Sequence, residues 1–187
     1  MWEASNHYIK FVPETPFSDP SYHLPHFYQI FAQVADEADR PFWAEAAKAS
    51  REYIVLSAHP VTGMNAEYAE YDGTPRLMFR KPYAYYSDAY RVAMNIALDN
   101  IWFGKTQQMS DVVTRLQNFF CEKEPEGDYK AYDLDGTPHD EPAMHPVAIT
   151  AVLGAASIAS ESKYADECLR RFWNTPLRTG KRRYYDN

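Results

Sequence analysis

An aspartate set among aromatic residues, Tyr85-Tyr86-Ser87-Asp88-Ala89-Tyr90-Arg91, is the pattern with the clearest chemical use in this 187-residue chain. It stands where a long aromatic loop becomes an amphipathic helix. Ser87 has the side chain of an N-cap, which would place Asp88 in the first helical turn, where backbone N–H groups and the helix dipole favour a carboxylate. Arg91 follows one turn later and is spaced to pair with that carboxylate and keep it ionised. Tyrosines offer apolar faces for a sugar ring and hydroxyls for its polar edge, so Tyr85 and Tyr86 are candidate substrate contacts. An ionised aspartate under such a platform is a candidate general base. Aspartates at helix N-termini are also common structural features, and the local pattern allows both readings.

Other chemistries find less support. His23 and His26 have i,i+3 spacing, and His139, Asp140, Glu141 and His145 cluster in a second loop. Histidine–carboxylate sets can bind zinc, but HExxH and paired cysteines are absent, and no metal or cofactor is expected. GxSxG, the P-loop and GxGxxG are missing as well, which removes serine hydrolysis, phosphoryl transfer and dinucleotide chemistry. Phe17 to Tyr28 gathers polar, aromatic and turn residues just before a helix. It reads either as a loop with an Asx turn and a hydrophobic staple, or as a segment that puts Tyr22 beside a carboxylate.

Composition bounds the partners. Hydrophobic residues make up 45% of the chain, enough for a core, while aromatics at 16%, with 15 Tyr, exceed what core filling needs. Sugar binding and protein interfaces are the two uses of such an excess. A net charge of −7 argues against nucleic acid. The basic cluster Arg170, Arg171, Arg178, Lys181, Arg182 and Arg183 reads as a solvated or ion-paired surface. No run approaches the ~18 apolar residues of a membrane span, and residues 1–15 do not resemble a signal peptide. Cys121 and Cys168 do not make a disulfide framework.

Six helical segments must position these residues. They run from about Pro25 to Ala35, with Phe27, Ile30, Phe31 and Val34 on one face; from Pro41 to about Ala58; and from Asp88 to Phe103, closed by Gly104. The fourth starts with Ser110 as N-cap. The fifth runs from Pro146 to about Ser160, apolar enough to be buried among neighbours, and the sixth from Lys163 to Asn174. Long loops at 60–86 and 124–145 carry the same tetrapeptide, Asp72-Gly73-Thr74-Pro75 and Asp135-Gly136-Thr137-Pro138, and each predicts a short β-hairpin. Helical hairpins with loops gathered at one end suit an all-α fold, about half of an α/α toroid, better than an isolated bundle.

Phe17 to Tyr28, Pro41-Phe42-Trp43, Tyr85 to Arg91 and Phe172-Trp173-Asn174-Thr175-Pro176-Leu177-Arg178 together resemble glycoside hydrolase family 8, and most closely its reducing-end xylose-releasing exo-oligoxylanases. The likeness is collinear over nearly all of residues 1–187. It implies an (α/α)6 barrel and hydrolysis of β-1,4-xylo-oligosaccharides with inversion by two carboxylates. It also implies roles: Asp88 as general base, Arg91 as its partner, Tyr22 lining the cleavage subsite, and His145, in Met144-His145-Pro146, closing the cleft beyond the reducing-end sugar. The general acid of that family is a glutamate upstream of anything matching Trp2. The resemblance therefore predicts a catalytic domain truncated at both ends, nearly inactive alone, and self-associating through exposed half-barrel faces. Enzymes that trim short oligosaccharides are usually cytoplasmic, which sets the expected location. The alternatives are a carbohydrate-binding α/α domain without catalysis, an endo-acting xylanase or glucanase of the same family, and a helical interaction module whose tyrosines face a protein.

Overall fold

Three helices begin on a proline in their first turn, where its fixed φ fits and its missing N–H costs nothing. These are α1 (Pro25–Val34), α2 (Arg40–Leu56) and α5 (Pro146–Ala156). A computed structural model describes residues 1–186 and adds α3 (Arg91–Phe103), α4 (Gln107–Lys123), α6 (Ala165–Asn174) and a last turn, α7 (Arg183–Asp186). The six long helices form two rows. In one, α3 lies against both α1 and α5; in the other, α4 lies against both α2 and α6. Alternate helices in alternate rows make half of an α/α toroid, as the helical-hairpin pattern predicts. α7 is the one helix that the apolar periodicity does not announce.

Both Asp-Gly repeats fold alike. The Asp72 and Asp135 carboxylates each accept the amide of the threonine two residues on, at 2.9 Å, and Gly73 and Gly136 adopt φ of +86° and +92°. Each glycine also lies flat on a helix: a Cβ at Gly73 would meet Leu56 O at 2.8 Å, and one at Gly136 would meet Phe119 at 2.4 Å. The second repeat turns a true hairpin, β3 (Lys130–Tyr132) with β4 (Pro138–Pro142). The first turns only a single bridge, Ala69 to Pro75, while β2 (Ala69–Glu70) pairs along its other edge with β1 (Phe17–Ser18).

The core lies between the rows and is built from Ile54, Ile96, Val112, Val113, Phe120, Val152 and their neighbours, with a satellite around Tyr28. Trp2 fills that satellite, edge-on to Tyr28, Phe42 and Trp43. The apolar stripe of α1 turns outward: Phe27, Phe31 and Val34 are exposed, whereas His26 and Tyr28 are buried. α5 is buried over most of its surface, packed against α3, α4 and α6. A groove of about 550 Å³ runs along α3 and α5 toward Phe172, Leu177 and Tyr184.

Two helix starts differ from the sequence reading. α4 begins at Gln107, and Ser110 lies inside it with its hydroxyl given to Ala159 O at 2.6 Å. That side chain ties α4 to the end of α5 instead of capping. α3 begins at Arg91, so Asp88 sits in the turn before the helix and not in its first turn. Ser87 is no N-cap: its φ is +46°, outside the extended backbone a cap needs, and its side chain acts instead on the Glu67 carboxyl, lowering its pKa.

Candidate active site

Two loops and one turn bring the predicted residues together. Asp19 caps the single 3-10 turn Pro20–Tyr22 by accepting the Ser21 amide at 2.8 Å. Asn95 on α3 then holds that turn, donating to Ser21 O at 2.9 Å and His23 O at 3.2 Å, and Tyr28 donates to Tyr22 O at 2.8 Å. Tyr22 is thereby fixed over the entrance to α3. His23 supports it from behind. Since Ser18 gives its one hydroxyl proton to Ile9 O at 2.6 Å, the His23 Nε2–H donates to Ser18, while Nδ1 accepts from Ser50. Burial pushes this histidine down to about 3, so it is a neutral core residue.

The opposite wall is the stretch from Tyr85 to Arg91. Tyr85 and Ala84 pair with Tyr132 through backbone bonds, and the Glu67 amide donates to Ala84 O at 2.8 Å. Ala89 N–H to Tyr86 O and Arg91 N–H to Asp88 O close the turn at 3.1 and 2.9 Å. Asp88 comes out on the surface side of that turn, in a 2.9 Å ion pair with Arg91. Burial raises the Tyr22 hydroxyl above its usual range, and the nearby charges of Asp19, Asp88 and Glu67 add to this while Arg91 opposes it. Tyr86 faces the same group, with burial and Glu67 pushing its hydroxyl up to about 12. Tyr85 does not: its ring is buried against Phe120 in the core.

Asp19 and Glu67 are two further carboxyls of this group, to which the sequence reading assigned no site role. They are 2% and 3% exposed, and burial is the main reason their pKa values rise, to about 7 and about 8. Asp19, the easier of the two to ionise, raises Glu67 further once charged, and the Asp88 charge raises both. The Arg91 guanidinium pairs with Asp88 and pulls Asp19 down, while burial and its two carboxyl neighbours act on Glu67. The site therefore presents one part-exposed carboxyl, Asp88, paired with Arg91, beside two buried carboxyls held well above the usual carboxylate range. Environments that separate the pKa values of neighbouring carboxyls are the usual mark of acid–base chemistry.

His145 stands apart from this group, at the N-terminus of α5. Its ring is buried between Tyr90 and Tyr185, and Nδ1 lies 2.8 Å from Asp186 Oδ1. Arg178 bonds the other Asp186 oxygen and donates to Met144 O at 2.8 Å. A small cavity lined by Tyr86, Ser87, Tyr90 and His145 separates this ring from the turn that carries Asp88. Among the described residues no three His, Cys, Asp or Glu side chains gather as a ligand set. The basic cluster is ion-paired in part, with Arg170 and Arg171 on Glu167 and Arg178 on Asp186.

Residues 1–154 match the family described as "Glycosyl hydrolases family 8". The whole chain is 55% identical to the reducing-end xylose-releasing exo-oligoxylanase Rex8A of Paenibacillus barcinonensis, of which it covers 50%. It is 52% identical to the reducing end xylose-releasing exo-oligoxylanase of Halalkalibacterium halodurans, covering 48%. The structure of Rex8A complexed with xylose superposes on the full chain with a TM-score of 0.94, over 50% of that protein. A Rex8A mutant complexed with an arabinofuranosyl-xylotetraose superposes equally well, with the same TM-score. The chain thus spans about half the length of the curated relatives it matches.

Proposed function

This chain belongs to glycosyl hydrolase family 8, and on that premise we propose that it is part of an inverting hydrolase of β-1,4-xylo-oligosaccharides that releases xylose from the reducing end. The observation that carries the reading is the part-exposed Asp88 carboxyl, paired with Arg91 and close to Tyr22. An inverting glycosidase needs one carboxylate to take a proton from water as that water attacks the anomeric carbon. Asp88 is that general base. Arg91 fixes the orientation of its carboxylate, and Tyr22, held by Asn95 and Tyr28, lines the subsite where the bond breaks. Tyr86 adds an aromatic wall, and His145 closes the cleft at the reducing-end side, so that one sugar fits beyond the scissile bond. Supporting the substrate class are relatives named for reducing-end xylose release and one bound to xylose.

The same mechanism needs an acid for the leaving oxygen, ~6.5–9.5 Å from the base. The family resemblance places that acid upstream of Trp2, and the buried Asp19 and Glu67 are not assigned to it. We therefore assign the acid to a part of the protein beyond these 187 residues, so residues 1–187 form part of a catalytic domain. That part also covers the outward apolar stripes of α1 and α3, which in its absence would drive self-association. The test is xylotriose with the full-length protein and with this chain alone. The full-length protein should release xylose, and this chain should be slower by the ~10²–10⁴-fold that a general acid contributes. Equal turnover by both would put the acid inside the chain and refute the division.

A further inference from the structure

The His145–Asp186–Arg178 arrangement does more than the cleft-closing role requires. Asp186 is buried and has its two oxygens divided, Oδ1 to the histidine at 2.8 Å and Oδ2 to Arg178. Arg178 thus brings a cation to the same carboxylate that the ring meets. A carboxylate can only accept, and the hydrogen between it and Nδ1 must therefore come from the ring. Arg178 is in turn anchored on Met144 O, next to the histidine, and Tyr90 ties the same segment down by donating to Tyr185 O at 3.1 Å. Rings of Tyr90 and Tyr185 flank the imidazole and leave it little room to turn.

We infer that Asp186, held by Arg178, is the positioning residue of His145: it fixes the ring with its proton on Nδ1 and leaves Nε2 as a hydrogen-bond acceptor. This deepens the cleft-closing reading of His145 and rests on it for its consequence in catalysis. An acceptor at that place selects a ligand group that donates, such as the free hydroxyl of a terminal sugar. A terminal carboxylate, with two acceptor oxygens and no proton, is disfavoured there. The last turn of the described chain, α7, thereby sets the chemistry of a loop 41 residues earlier.

Asp186→Asn gives a test with a sign. The Arg178 guanidinium only donates, so it claims the amide oxygen; the amide NH2 then faces Nδ1 and must donate to it. The ring proton is forced to Nε2, and the acceptor becomes a donor. With ¹⁵N-histidine-labelled chain, long-range ¹H–¹⁵N correlation reads the tautomer directly, the His145 signals being assigned by their loss in His145→Ala. The inference expects the Nδ1–H form in the wild type and the Nε2–H form in Asp186→Asn. Nε2–H or a doubly protonated ring in the wild type would overturn it without recourse to any variant, and so would Nδ1–H retained in Asp186→Asn. In the full-length protein, Asp186→Asn should raise KM for xylotriose by roughly tenfold or more, with a smaller change in kcat, as expected for a mismatched buried hydrogen bond. The two levels fail separately. If His145→Ala leaves the product pattern unchanged, the cleft-closing reading falls while the tautomer result stands. If His145→Ala alters the products but the tautomer is not as stated, only the role of Asp186 falls.

Discussion

Glu67→Gln should change how the stability of this protein depends on pH, because the carboxyl it replaces is buried with its proton. In the folded chain burial comes first, followed by Asp19 and Asp88, in raising Glu67 from 4.5 to about 8. A carboxyl raised on folding binds its proton more tightly in the folded state. Its contribution is fully present below the unfolded value and is lost as pH climbs from about 4.5 through about 8. At about 1.4 kcal/mol per pH unit, that interval sets a ceiling on the order of 5 kcal/mol, and relaxation around the ionised group lowers what is measured to roughly 2–3. Glutamine keeps the shape and a carbonyl acceptor for the Ser87 hydroxyl and the Asp88 amide, but it never ionises. Urea unfolding of wild type and variant at intervals between pH 4.5 and 9 isolates the term. The variant should begin equal or slightly less stable at pH 4.5 and overtake the wild type as pH rises, by that amount near pH 8.5. Asp19, raised from 3.8 to about 7, contributes with the same sign in both proteins and largely cancels in the difference. A difference that stays flat across the range would show that Glu67 is ionised in the folded chain, and the reading of Glu67 as a buried acid raised by its surroundings would fail with it.

Other consequences are simpler to check. Gly136→Ala should cost about 2–4 kcal/mol, because a Cβ there meets Phe119 at 2.4 Å as well as a φ of +92°, whereas Gly127→Ala, at φ +79° in open space, should cost about 1; paired thermal melts separate the clash from the backbone cost. Arg51→Met should destabilise by roughly 3 kcal/mol in urea unfolding at pH 7, since Arg51 grips both oxygens of the buried Asp99 at 2.8 Å and its loss leaves that charge unpaired. In the full-length protein, His145→Ala should let longer products appear beside xylose when xylohexaose digests are separated by chromatography.

How much of this was legible depended on whether a residue's use was local. Proline starts, apolar periodicity and Asp-Gly turns act within a few residues, and α1, α2, α5 and the hairpin of β3 and β4 could be read from them. Ser87 and Ser110 misled for one reason: each has the side chain of a cap, and each spends it on a distant partner, Glu67 and Ala159. Tyr22, Asp88 and Arg91 were singled out by type and spacing, and the structure brings them together. Tyr85, grouped with them by adjacency, faces the core because neighbours on an extended segment point to opposite sides. Asp19 was visible as an Asx turn, which it also is, and its second use as a buried acid depends on α3 packing over it. Glu67 did leave a trace. It is the lone charge in Met64-Asn65-Ala66-Glu67-Tyr68-Ala69, a stretch otherwise composed for burial, and a carboxyl buried without a cation is a candidate site residue. The division of Asp186 between His145 and Arg178 left none, since it joins residues up to 41 apart through side chains alone.

The most direct test of the central claim is Asp88→Asn in the full-length protein, followed by proton NMR of xylotriose through the first turnovers. The account predicts that the wild type releases xylose and forms the new reducing end with inverted configuration. It also predicts that the variant loses at least ~10²-fold in kcat while still binding xylotriose. Undiminished turnover in Asp88→Asn, or a product of retained configuration, would contradict it.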